Sequence, residues 1–303
     1  MMIDGCNWDG ETENIVFSVI IPHRDSVQTL SRLLDSIPDI QTIEILVVDN
    51  SATPLQKKDV ASSRTFALLY SNYNAYSGGA INLGIAHSRG KWIIVADADD
   101  TFTPQAFNCY YQKQHSSADI VFFKSQSCFE GSQLATSRGE RYSQLVQNYI
   151  SNPTKATMFA LNSVSLCGRM IRRQYVVENH FSYDEIVSGY DINFSIKLGV
   201  NTIKIEAVDE YVYVVTESSH SLSKRREYPY VSARYWATLE ANKYLREHNL
   251  SQYQRSIMYN FLYCCRYGLR PACKAIKLLF QYKQNPFIGW RNWWGTVKRL
   301  TSH

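Results

Sequence analysis

No part of this 303-residue chain is apolar for the roughly 20 residues that a membrane-spanning helix needs. No apolar run opens it either. Asp4, Asp9, Glu11 and Glu13 make the start acidic, which is not the pattern of a secretion signal. Paired cysteines are missing too. The seven are Cys6, Cys109, Cys128, Cys167, Cys264, Cys265 and Cys273. None forms C-x-x-C, and no Cys/His spacing fits zinc. An odd set of unpatterned thiols argues against a disulfide scaffold and for reduced thiols in the cytosol. No G-x-G-x-x-G follows the first apolar run, where the chain reads Pro22-His23-Arg24-Asp25, so a dinucleotide-binding dehydrogenase is excluded. Lastly, residues 251–303 contain no Asp or Glu.

What is present is ordinary globular material. Hydrophobic residues make up 45% and charged residues 19%, enough to bury a core without disulfide staples. The length suits one large α/β domain, or a smaller one with an appendage. The net charge of +5 is unevenly spread. Nine of the 32 basic residues lie beyond residue 250, leaving 23 basic against 27 acidic before it, a net −4. The basic character therefore belongs to the tail.

Residues 1–14 read as a leader, 15–225 as a catalytic domain and 226–303 as a helical, basic and aromatic C-terminal region. Residues 15–21 (IVFSVII) form a β-branched run that reads as a buried strand. Leu30, Leu33, Leu34 and Ile37 then follow helical spacing as far as Pro38. Residues 43–48 and 66–70 read as strands, 77–88 as a loop leading into a helix, and 92–96 and 120–124 as further strands. Strands alternating with helices predict an α/β fold with a mostly parallel sheet. Ligands of such sheets bind beyond the carboxyl ends of the strands. Asp49 and the cluster Asp97-Ala98-Asp99-Asp100 both fall there.

Three carboxylates in four residues repel one another, and a divalent cation relieves the repulsion. Mn²⁺ or Mg²⁺ prefers oxygen ligands and shares them with substrate phosphates. A lone D-x-D would read as a solvated turn capping the next helix. Its place directly after an apolar strand favours a metal site.

The ordered segments at residues 18–37 (SVIIPHRDSVQTLSRLLDSI), 43–51 (IEILVVDNS), 77–100 (SGGAINLGIAHSRGKWIIVADADD), 188–199 (SGYDINFSIKLG) and 220–223 (HSLS) resemble those of family 2 glycosyltransferases with the GT-A fold. The resemblance implies a metal-dependent, inverting enzyme that moves a sugar from a nucleotide-diphospho-sugar, by default a UDP-sugar, to a glycan or lipid-linked glycan. It implies that Asp97 and Asp99 are the D-x-D pair, with Asp100 beside them as metal ligands. Asp49 would recognise base or ribose, and Pro22 and Asp25 would line the nucleotide pocket. Asn82 would orient the loop beside the donor.

The departing diphosphate needs cations, and the acceptor hydroxyl needs a base. Asp191 matches the base by position, although the Glu that usually precedes it is Tyr190 here. Asp184 and Glu185 are rivals, and helix capping is the bland alternative for Asp191. Arg172, Arg173 and His220 are the candidates for the diphosphate; Arg169, Lys224 and Arg225 are further cations nearby. Gly78-Gly79 would allow a close backbone approach to a ligand, or simply lead into the helix.

In the tail, residues 257–267 read as a buried helix and 272–282 as an amphipathic one. Trp290, Trp293 and Trp294 follow among Arg291 and Lys298. Trp with Lys/Arg suits an anionic membrane surface; a helical appendage packed on the core is the alternative. No nucleic-acid motif accompanies the charge. Two other readings stay open: Asp97-Ala98-Asp99-Asp100-Thr101 fits the D-x-D-x-T of haloacid-dehalogenase-like phosphatases, and a non-catalytic scaffold bound to a membrane would need none of the aspartates.

Overall fold

A computed structural model describes residues 14–132, 134–163, 167–202, 204–218 and 222–288. The expected leader lies almost wholly outside these residues, as do the three tail tryptophans and His220.

The chain opens with β1 (Phe17–His23), α1 (Val27–Asp35), β2 (Ile43–Asp49), β3 (Ala67–Tyr70), α2 (Tyr76–His87) and β4 (Trp92–Val95). β1 lies between β2 and β4 and runs parallel to both. It is buried along its whole length, which is why its sequence is apolar without alternation. Phe17, Val19 and Ile21 enter the core on one face, against Leu30, Leu33 and Leu34 of α1. Ile20 enters the core on the other, against Ala80, Ile81 and Ile85 of α2.

The second half is mixed. It contains β5 (Thr101–Phe102), α3 (Ala106–Gln112), β6 (Ile120–Phe129), α4 (Ser137–Ser151), α5 (Ala156–Asn162), β7 (Met170–Arg172), α6 (Arg173–Glu178), α7 (Ile192–Asn201) and β8 (Ile205–Glu217). Sheet order is β3-β2-β1-β4-β7-β6-β8-β5. β7 is antiparallel to both β4 and β6, while β8 runs parallel to β6. The predicted mostly parallel sheet is therefore parallel in its first half, with antiparallel pairs beyond β4. The strands expected over 15–21, 43–48, 66–70 and 92–96 appear within two residues of those bounds, whereas the one expected over 120–124 runs on to Phe129.

Three helices follow: α8 (Tyr228–Glu247), α9 (Met258–Arg266) and α10 (Leu269–Gln281). Ala241 and Leu245 of α8 pack on Leu161 of α5 and Ile196 of α7. Asn242, fully buried, donates to the Arg255 carbonyl at 2.8 Å and accepts from its N–H at 2.7 Å. That clamp fixes the 255 loop against the catalytic layer. Among the described residues no helix is long and apolar enough to cross a membrane.

Candidate active site

The chain leaves β4 into a tight turn. Ala96 and Ala98 are buried, and the Asp100 N–H donates to the Asp97 carbonyl at 3.0 Å. Two other elements pin the turn. From β8, the Tyr213 hydroxyl accepts from the Asp97 N–H at 2.8 Å, and the Thr216 N–H donates to Asp100 Oδ1 at 2.6 Å. From α1, Arg32 donates to the Asp99 carbonyl at 2.5 Å. Asp97, Asp99 and Asp100 thereby line a cleft of about 590 Å³ at the carboxyl ends of β1 and β4.

The carboxylates sit under electrostatic tension. Burial pushes Asp97 up to about 7; the Asp99 charge adds to the rise and Arg138 opposes it. Burial also raises Asp99. Asp100 stands well above the usual carboxylate range, through burial first and then the charges of Asp97 and Asp99. Buried oxygens that repel one another are what a hard divalent cation relieves. One donor atom each from Asp97, Asp100 and Cys167 lies within 4.8 Å of the others, with the Cys167 thiol 3.8 Å from Asp97 Oδ2. The residues fit a bound Mn²⁺ or Mg²⁺, with Cys167 an unexpected neighbour.

Asp191 lines the same cleft. It holds the N-cap position of α7, yet its side chain makes no capping bond; only its carbonyl joins the helix, accepting from the Ser195 N–H at 3.0 Å. The carboxylate is thus left to the cleft. Burial raises its pKa, against the pull of Arg169, Arg255 and Arg138. The rival Asp184 accepts from the Asn193 side chain at 2.6 Å instead, and neither it nor Glu185 lines the cleft.

The cations differ from those expected. Arg172 lies opposite Trp92 at the amino end of β4 and donates to the Ser116 and Ala118 carbonyls, both at 2.6 Å. Arg173 donates to Ser88 Oγ at 3.1 Å. Both sit at the edge of the sheet opposite the aspartates, because β7 runs antiparallel and carries its last residues away from them. Their expected contact with a diphosphate is corrected accordingly. His220 lies outside the described residues, and Lys224 and Arg225 do not line the cleft. Among the described residues the arginines of the cleft are Arg24, Arg138, Arg141, Arg169, Arg234 and Arg255. Of these only Arg169 stood among the sequence candidates. Arg138, in the first turn of α4, faces the aspartates. Burial works against its charge, but Tyr142 and the neighbouring acids hold its proton more firmly than usual. Arg169 is buried and donates to Ser195 Oγ at 2.8 Å. Arg234 and Arg255 come from beyond residue 225, so the cleft draws on the C-terminal region.

On the nucleotide side Pro22, His23 and Arg24 line the cleft. The Ser26 N–H donates to His23 Nε2 at 3.2 Å, so Nδ1 carries the proton that reaches Asp49 at 2.8 Å. Asp49 also accepts from Ser51 Oγ at 2.6 Å and the Leu55 N–H at 2.9 Å. Burial would raise its pKa, but these bonds outweigh it and hold the carboxyl below its ordinary value. At 2% exposure, Asp49 stands behind His23, whose ring it supports, and does not line the cleft. Asp25 is exposed, in the left-handed region at φ 53°, with its N–H on Ser51 Oγ; it too lies off the cleft. The guanidinium of Arg24, which lines the cleft, stacks 3.7 Å over the Tyr73 ring and makes a flat platform with it.

Asn82 also acts at one remove. Its side chain pairs with the Tyr183 backbone at both ends, and Tyr183 lines the cleft. Gly78 has a related use: a Cβ there would lie 1.9 Å from the Asp184 carbonyl oxygen. The close approach is to the chain's own 184–185 segment.

The glycosyl transferase family 2 model matches residues 18–178. Succinoglycan biosynthesis protein ExoO of Rhizobium meliloti (strain 1021) is 34% identical over 90 residues, 28% of this chain and 26% of that protein. The match thus spans about a quarter of that relative's length. In fold, the chain is similar to the crystal structure of S. aureus TarS 1-349, with a TM-score of 0.62 at 16% identity over 88% of this chain and 80% of that one. The same protein in complex with UDP-GlcNAc matches at 0.59 and 17% identity, over the same shares. The mannosyltransferase PcManGT from Pyrobaculum calidifontis, in complex with GDP-Man and Mn²⁺, matches at 0.51 and 12% identity over 96% and 88% of the two chains. The sheet order, the aspartates at its carboxyl edge and the match over more than half its length agree: this chain belongs to glycosyl transferase family 2.

Proposed function

We propose that this glycosyltransferase moves a sugar from a UDP-sugar to a glycan hydroxyl, with inversion, and that Asp191 is the base. The observation that carries the reading is that Asp97 and Asp191, 94 residues apart in sequence, bring raised-pKa carboxylates into one cleft walled by arginines. The D-x-D-x-T phosphatase alternative loses its ground with the family match, and a scaffold would not need buried carboxylates under mutual repulsion.

The steps follow from the side chains. Pro22, His23 and the Arg24–Tyr73 platform take the nucleoside end. Asp97, Asp99 and Asp100 would hold a divalent cation, Mn²⁺ or Mg²⁺, which supplies charge to neutralise the diphosphate leaving group. Arg138 and Arg169 face the same cleft and stabilise negative charge as the anomeric C–O bond breaks through an oxocarbenium-like state. Asp191 takes the proton of the attacking hydroxyl; burial raises its basicity toward the working pH. Attack from the side away from the departing diphosphate inverts the anomeric carbon.

UDP-, GDP- and dTDP-sugars offered with Mn²⁺ test the reading by nucleotide release. Release of UDP from a UDP-sugar, lost on chelation, supports it. Release of phosphate from a simple phosphate ester, with no nucleotide-sugar consumed, contradicts it.

A further inference from the structure

The sequence leaves the C-terminal helices either packed on the core or facing a membrane. α10 packs on the core with one face and leaves the opposite face exposed. Ala275 and Tyr282 are buried, Leu278 and Leu279 pack on the α8–α9 core, and the Tyr235 hydroxyl donates to the Ala275 carbonyl at 3.0 Å. The opposite face is apolar and exposed. Leu269 is 86% exposed, Ile276 42% and Phe280 79%, with Cys273 exposed between them. Spacings of four, three and four residues keep these side chains in one stripe along the helix. Phe287, 59% exposed, follows beyond it.

The edge of that stripe is basic. Arg270, Lys274, Lys277 and Lys283 are exposed, and residues 251–303 contain no acid to offset them. One turn before α10 is a second cleft, of about 660 Å³, lined by Lys224, Arg226, Tyr263, Arg266 and Tyr267. Among the described residues no carboxylate lines it, although Lys224 already reaches Glu217 at 3.4 Å. The Tyr267 hydroxyl donates to the Arg226 carbonyl at 2.9 Å and closes one wall. Two independent features, an exposed apolar stripe and a cation–tyrosine cleft, thus adjoin through residues 266–270.

We infer that the outer face of α10 and the adjoining cleft dock together on an anionic bilayer surface. The stripe enters the acyl boundary, and the guanidinium groups meet lipid phosphate. The charge pattern selects this occupant: an exposed apolar stripe with Arg270, Lys274, Lys277 and Lys283 beside it complements a negative interface. The docking also places the catalytic cleft. Leu222 lines that cleft while Lys224, two residues on, lines the cation–tyrosine cleft. An acceptor anchored in the same bilayer would therefore reach the active site without leaving the surface. The docking itself does not depend on the proposed chemistry.

The test is flotation of the full chain with vesicles of phosphatidylcholine, alone or mixed with phosphatidylglycerol. The wild type should bind the anionic vesicles at least about tenfold more tightly, and less tightly as salt rises. Leu269→Ser with Phe280→Ser should cut that binding about tenfold, and so should Arg266→Gln, both with unchanged melting and unchanged UDP binding. Equal binding to both vesicle types, or unaltered binding by these variants, overturns the inference. So does a concentration-dependent dimer that Phe280→Ser dissolves in a chain that ignores vesicles, because a second copy then covers the face.

Discussion

Asn82 holds the backbone of Tyr183, 101 residues away, from both sides. Its amide donates to the Tyr183 carbonyl at 2.9 Å, and its side-chain oxygen accepts from the Tyr183 N–H at 2.8 Å. The pair ties the helix after β3 to the segment that leads into Asp191. Asn82→Ala leaves both backbone groups without that partner, at about 1–3 kcal/mol in urea unfolding. Asn82→Asp keeps the acceptor and loses the donor, so it should fall between. Because Tyr183 lines the cleft, turnover should drop further than UDP affinity in both variants.

Gly78 works on the same joint. With a Cβ 1.9 Å from the Asp184 carbonyl oxygen, Gly78→Ala must push the 184–185 segment away. Thermal unfolding should show a loss of about 1–3 kcal/mol, the usual cost of overpacking. Unchanged stability and turnover would mean that the segment yields freely.

Asp191→Asn should spare UDP binding and cut turnover by about 10²–10⁴-fold, the range for a lost general base. The pH profile carries the sign. Burial raises the Asp191 pKa, so in acid the group is protonated and idle. Turnover should climb as pH rises through that raised value and level off above it. In the variant the climb should vanish.

Asp97 predicts an effect on stability in the absence of metal. Its folded pKa of about 7 lies above the ordinary carboxyl value of 3.8, so between these values the folded chain keeps a proton that the unfolded chain releases. Stability from this group is therefore lost as pH rises from about 4 to 7, and the penalty is complete above that. Asp97→Asn should remove the penalty and raise the metal-free melting temperature at pH 7, by about 2–4 °C for each kcal/mol regained. The same variant should lose the stabilisation that Mn²⁺ with UDP gives the wild type.

The thiols should separate by environment. Cys273 is exposed on α10. Burial, then the charges of Asp97 and Asp100, push the Cys167 thiol well above its ordinary value, which leaves little thiolate to react. Iodoacetamide at neutral pH, followed by peptide mass spectrometry, should label Cys273 at least about tenfold faster than Cys167.

The first half of the fold was legible because its signals are local. The apolar runs of β1, β2 and β4 match the strands they become within two residues, and each ends at the edge where Asp49 or Asp97 sits. The second half was not. β7 has three residues and β5 two, too short for periodicity to register, and the antiparallel turn of β7 decides which way Arg172 faces. The acidic cluster and Asp191 announced themselves by order along the chain. The arginines did not: Arg138, Arg234 and Arg255 stand in unpatterned stretches and converge only through the packing of α4 and α8. Asp49 shows the reverse limit. Its residue type and place at a strand end suggested ligand contact, whereas in the fold His23, Ser51 and Leu55 already bond its carboxylate. The amphipathic pattern of α10 was visible too, whereas the direction of its apolar stripe needed the fold.

The most direct test is calorimetric titration of UDP into the purified chain, once with Mn²⁺ and once with a chelator. The account predicts saturable binding with the metal, loss of at least about tenfold in affinity without it, and a similar loss in Asp97→Asn with metal present. Binding of equal strength in all three titrations, or no nucleotide binding in any of them, would contradict it.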